Sequence, residues 1–255
     1  MKLKNFFNKK TVRFWEIDSL RGIAIVFMIT FHVFFDLGYN GIFPSVSGNI
    51  PISIIGKIAF IMFLFISGIS LSLSYSKTLS KGEKPVFTKY LKRGLYVFGY
   101  GLIITVVTKL YLKDGFIIFG ILHLIGVSII ISYPLLRFVK LNFILGILVL
   151  ISGFFLSVLS LPFPWLLWLG LKPENFYTLD YFPIFPYYGL VLLGIAFGNH
   201  YYKSYKRRFY LSDLSSKSFV KFFGFLGRHS LFIYLVHQPI IILSIQWLLP
   251  IIISE

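Results

Sequence analysis

Long apolar runs alternate along this chain with short polar segments that hold most of its charge. A helix crossing a bilayer needs roughly 20 apolar residues. Seven runs come close to or exceed that length, at about 20–37, 52–75, 94–110, 116–136, 143–161, 184–200 and 230–252. The connectors 38–51, 76–93, 162–183 and 201–228 are rich in Gly, Pro, Ser or basic residues, as loops are. In the second run Ser67, Gly68, Ser70 and Ser74 place small side chains at helical spacing, which favours close helix packing. Trp165 and Trp168 suit a membrane interface. Pro239 predicts a kink in the last helix, with a freed carbonyl that needs an internal partner.

Composition supports this reading. Of 255 residues, 57% are hydrophobic and 13% charged, and the mean hydropathy is +0.82. A soluble core of this length does not need so much apolar sequence. The expectation is an all-α, polytopic helix bundle of about seven transmembrane helices. It forms one domain over 1–255, with 1–18 as a basic cytoplasmic segment and the first run as an uncleaved signal anchor.

The net charge of +16 would suggest nucleic acid in a soluble chain. Here topology accounts for it, and no nucleic-acid partner is expected. The N-terminal segment with Arg21 holds six Lys and Arg, connector 76–93 six, the turn at Arg137 and Lys140 two, and connector 201–228 seven. The opposite side holds only Lys57, Lys109, Lys113 and Lys172. The positive-inside rule then puts the N-terminus in the cytoplasm and the C-terminus outside. No cysteine is present, which excludes disulfides and Cys-ligated metals.

Few ionisable groups fall inside the runs: His32, Asp36, His123 and His237. A charged group there costs roughly 2.5–3.5 kcal/mol on insertion scales, so each is a functional candidate. Arg21 and His32 are eleven residues apart, close to three helical turns, and share one face about 16 Å apart. Asp36 follows His32 by four residues, within side-chain reach on a helix. The plain alternative for an intramembrane histidine is an interhelical hydrogen bond. His123 stays open between that role and chemistry, while His237, beside Gln238 and Pro239, leans toward chemistry. The three histidines come from three runs with no paired spacing, so no metal is expected. A retinal protein is excluded by the lack of lysine in the last run.

The segment Glu16-Ile-Asp18-Ser-Leu-Arg21-Gly-Ile-Ala, followed by Met28, His32 and Asp36, carries a resemblance. So do Phe119-Gly-Ile-Leu-His123-Leu-Ile-Gly126, Asp180-Tyr-Phe-Pro-Ile-Phe-Pro186-Tyr-Tyr-Gly189 and Leu226-Gly-Arg228-His229-Ser230-Leu-Phe-Ile-Tyr-Leu-Val-His237-Gln238-Pro239. Together they resemble the heparan-α-glucosaminide N-acetyltransferase catalytic-domain family in its short prokaryotic form. Arg21 and His32, with ten residues between them, also resemble a motif of the wider membrane acyltransferase superfamily. The resemblance implies a multi-pass cell-membrane enzyme that moves an acetyl group from cytoplasmic acetyl-CoA to an extracytoplasmic sugar or envelope acceptor. It implies His32 as the catalytic base with Asp36 holding it, and His123, His237 and Gln238 in support. Arg21, Arg93, Arg228 and His229 would hold the acyl-CoA phosphates, and Asp180 would meet the acceptor. The competing function is a proton-coupled transporter using the same intramembrane His and Asp. Acceptor identity and oligomeric state, a homodimer included, stay open.

Overall fold

A computed structural model describes residues 13–44, 49–112, 114–156 and 158–253, with side chains up to residue 248. Lys113 and residues 1–12 of the basic N-terminal segment lie outside the described residues. Eight α-helices occur among the described residues and no strand: α1 Trp15–Tyr39, α2 Ile50–Ser80, α3 Phe87–Tyr111, α4 Ile121–Ile131, α5 Lys140–Leu156, α6 Ile184–Tyr201, α7 Ser218–Arg228 and α8 Ser230–Ile253. Four of them, α1, α2, α3 and α8, are long and apolar enough to cross a membrane; α4 and α5 are shorter apolar helices.

Two expectations change. The fourth apolar run, 116–136, is helical only over the 11 residues of α4, about 16 Å of rise. Before it, Phe119 bridges to Tyr181 and Phe182 N–H bonds Phe119 O at 2.9 Å, so this stretch is extended against a second strand of chain. After it, Pro134 falls in a 3-10 turn, Tyr133–Leu135. The basic connector 201–228, in turn, contains α7. Hydropathy alone misses α7 because Lys217, Lys221 and Arg228 interrupt its apolar pattern.

The chain packs as two compact units, Met1–Ile52 with Ser212–Glu255, and Ser53–Leu211. In the first, α7 and α8 pack on α1. Val220, Gly224 and Gly227 form the buried face of α7, at the i, i+4, i+7 spacing of one helical stripe. A Cβ on Gly227 would overlap the Asp18 carbonyl oxygen, and one on Gly22 would overlap that of Phe223, so the two backbones touch only because both residues are glycine. Glu16 and Asp18 sit in the first turn of α1, where carboxylates suit the positive end of the helix dipole. In the second unit α3 packs on α4, and α5 and α4 on α6. Asn199 near the end of α6 ties three segments together. It accepts Ser72 Oγ–H at 2.6 Å and donates to the Leu136 and Phe138 carbonyls at 2.8 and 3.4 Å.

Candidate active site

In the first unit α1 carries His32 and Asp36, and α8 carries His237 and Gln238. The rings of His32 and His237 meet edge to face, with centroids 4.8 Å apart and planes at 81°. Asp36 and His237 are buried, at 7% and 8% exposure. The backbone fixes both tautomers. His32 Nδ1 lies 2.8 Å from the Met28 carbonyl, and His237 Nδ1 lies 2.6 Å from the Tyr234 carbonyl. A carbonyl only accepts, so each Nδ1 carries the proton and each neutral ring keeps its lone pair on Nε2. The site therefore holds two adjacent imidazole bases.

Asp36 does not take the expected place as the partner of His32 Nδ1. Gln238 Nε2 donates to both its carboxylate oxygens, at 3.0 and 2.8 Å. The Met28 carbonyl, one turn back on the same helix, meets the imidazole first. The result is a clamp between α1 and α8 just beyond the histidine pair. At this site two buried acceptors, His237 Nε2 and Gln238 Oε1, find no donor among the described residues. Buried acceptors in this condition cost stability unless something outside the protein satisfies them.

The base of α1 is a second polar cluster in the same unit. Arg21 Nη1 is 3.6 Å from Asp18 and donates to the Gly227 carbonyl at 3.4 Å. That carbonyl immediately precedes Arg228 and His229, both exposed. His229 Nδ1 is bonded to the Phe225 carbonyl at 2.9 Å. Because α1 is continuous, the Arg21–His32 separation of about 16 Å along the axis holds in the folded chain. Arg93 lies on α3, in the other unit, with an exposed side chain.

His123 and Asp180, also in the second unit, organise the start of α4. His123 Nδ1 accepts the Gly120 N–H at 3.2 Å, so the side chain reaches back to the N-cap backbone. The proton then sits on Nε2, 3.4 Å from Thr105 Oγ, the opposite tautomer from His32 and His237. Phe98 and Phe119 flank the ring at 5.1 and 5.5 Å. Both nitrogens of His123 are thus engaged within the fold. Asp180 Oδ2 accepts the Ile121 N–H at 3.3 Å, at the α4 N-terminus. Burial raises its carboxyl to about 6, with the Ile121 hydrogen bond pulling the other way. Burial likewise pushes the Tyr181 phenol up to about 12, and its hydroxyl donates to the Leu167 carbonyl at 2.7 Å. Among the described residues no His, Asp and Glu cluster has the makings of a metal site.

The described residues form helices and no strand, and four of the helices are long and apolar enough to cross a membrane, which is the make-up of a membrane-associated helical protein. The family model described as heparan-alpha-glucosaminide N-acetyltransferase, catalytic, matches residues 13–239, and the chain belongs to that family. Membership implies a transferase. No curated protein and no solved structure matches the chain.

The sequence pointed to His32, His237, Asp36 and Gln238, and the fold brings these four together. It did not reveal the tautomers, the pairing of Asp36 with Gln238, or the structural partners of His123. Backbone carbonyls set the first, and packing between segments distant in sequence sets the others.

Proposed function

We propose that this protein is a multi-pass cell-membrane acyltransferase, with about seven crossings and its N-terminus in the cytoplasm. It transfers an acetyl group from cytoplasmic acetyl-CoA to an amine or hydroxyl of an extracytoplasmic glycan or envelope acceptor. The observation that carries this reading is the facing pair of imidazoles, each held by a backbone carbonyl at Nδ1, with two buried acceptors that lack donors among the described residues, His237 Nε2 of the pair itself and Gln238 Oε1 next to it in the chain. A nucleophile N–H or O–H is the donor such a site lacks.

Arg21, Arg228 and His229 hold the donor's phosphates, since a guanidinium fork matches phosphate oxygens. The pantetheine arm runs along α1 toward His32. There, Nε2 takes the proton from the acceptor as its nitrogen or oxygen attacks the thioester carbonyl. The new C–N or C–O bond forms, the C–S bond breaks, and the departing CoA thiolate recovers the proton from His32. His237 Nε2 and Gln238 Oε1 receive the acceptor's remaining polar hydrogens, and the Asp36 clamp fixes Gln238 for that purpose.

The test is acetyl transfer from radiolabelled acetyl-CoA, with donor binding read in parallel from thermal protection. His32→Ala is expected to lose transfer by about 10²–10⁴-fold, the range of general base catalysis, with protection by acetyl-CoA retained. A fully active His32→Ala variant would remove His32 as the base. Absence of any protection by acetyl-CoA in the wild type would favour the transporter.

A further inference from the structure

The second unit holds a feature that the transfer chemistry does not use. Between α5, α6 and α2 lies a trough of about 560 Å³ lined by Phe65, Phe143, Ile144, Leu193, Ala196 and Phe197, with Lys140, His200 and Tyr201 at one end. At Val139 and His200 it adjoins a second cavity, of about 430 Å³, lined by Arg137, Lys203, Arg208, Ser76, Ser80 and Asn199 among others. The first is almost wholly hydrocarbon, whereas the second is basic and hydroxyl-rich, and no residue lining it is acidic. Both volumes lie in the range of small-ligand sites.

The backbone presents these cations deliberately. Asn199 holds the carbonyls on either side of Arg137, and the Arg137 guanidinium rests over the Phe138 ring, 4.6 Å from its centre. Arg208 N–H bonds the Tyr201 carbonyl at 2.8 Å, folding the chain after α6 back on itself. Ser204 and Tyr205 both take left-handed backbone conformations, with φ of 56° and 58°, to turn that loop. Non-glycine residues there cost roughly 1–3 kcal/mol each, strain that persists only where the surrounding structure holds it. Among the described residues, Arg137, Lys203 and Arg208 have no carboxylate partner.

We propose that this composite cavity binds one anionic phospholipid, with its phosphate among Arg137, Lys203 and Arg208 and an acyl chain in the trough. Charge complementarity calls for an anion, and the contiguous hydrocarbon trough calls for a tail. Coenzyme A fits the basic end alone, because its pantetheine arm is polar and would leave its amides unpaired in the trough. The connectors at this end of α2, α5 and α6 are those that the loop charges assign to the cytoplasmic side, where anionic lipid concentrates.

The test uses the full chain, delipidated in detergent, with binding of phosphatidylglycerol and phosphatidylcholine of identical chains read by native mass spectrometry. Preference for phosphatidylglycerol is expected to be tenfold or more. Arg137→Gln and Arg208→Gln should each weaken it about fivefold, the contribution of one cation near an anionic headgroup. Ile144→Trp, at an exposed trough position, should weaken both lipids while leaving helicity unchanged. Equal affinity for the two lipids would overturn the proposal, as would insensitivity to the arginine variants. Competition by glycerol 3-phosphate as strong as by the lipid would make the site a free-phosphate site, and competition by acetyl-CoA would assign it to the donor. The readout is lipid binding, so it stands or falls independently of acetyl transfer.

Discussion

The chemistry of single residues here is set by which partner each nitrogen or oxygen meets. His32 and His237 meet carbonyls through Nδ1 and so keep a basic Nε2, whereas His123 accepts through Nδ1 and does not. Gln238 is the link between the helices of the first unit, and its removal should be felt in stability as well as rate. Gln238→Leu strips the buried Asp36 carboxylate of its amide donor, a loss of about 1–3 kcal/mol, read as a lower thermal midpoint that Gln238→Asn restores only in part. Asp180 gives a pH signature. Its folded value of about 6 lies above the ordinary 3.8, so the folded state binds the proton more tightly. The stability this supplies is fully present below about pH 4 and is lost as the pH rises through 6. Asp180→Asn should flatten that slope, which thermal midpoints of both proteins from pH 4 to 7 will show. Parallel curves would mean that Asp180 does not carry the effect.

Among the elements, α7 shows most clearly how packing overrides hydropathy. Its buried stripe of Val220, Gly224 and Gly227 is narrow, and Phe219, Phe222 and Phe225 stay exposed on its other sides. The helix exists as a partner for the base of α1, where Arg21 reaches the Gly227 carbonyl. Gly227→Ala should therefore separate the two backbones at a cost of about 1–3 kcal/mol, the usual penalty of overpacking. Transfer should fall with it, because Arg21 and Arg228 would move together. A thermal midpoint unchanged by Gly227→Ala would show that α7 is not docked as described. The shortening of α4 follows the same logic. All but His123 and Ser128 of its residues are apolar or glycine, yet the extended segment before it and Pro134 after it limit it to 11 residues.

At the scale of the whole molecule, the absence of cysteine makes topology directly measurable, since any introduced cysteine is the sole thiol. Single cysteines at Ser80, Arg137 and Ser215 should react with membrane-impermeant reagents only from the cytoplasmic side, and one at Tyr177 only from outside. Labelling of Ser80 and Tyr177 from the same side would overturn the seven-crossing arrangement.

The sequence by itself determined the helical class, the membrane-length apolar helices, the family and the four residues that meet between α1 and α8. The family follows from motifs that resemble it, and the others from properties each segment carries alone: apolar length, the cost of an ionisable group in a hydrocarbon run, and residue spacing on one helix. Only the tertiary structure decided that Asp36 serves Gln238 rather than His32, that His123 and Asp180 build the start of α4, and that a hydrocarbon trough adjoins Arg137, Lys203 and Arg208. Each of these depends on which of several nearby donors or surfaces arrives first. That competition is settled by contacts between residues up to two hundred positions apart, which local patterning does not encode.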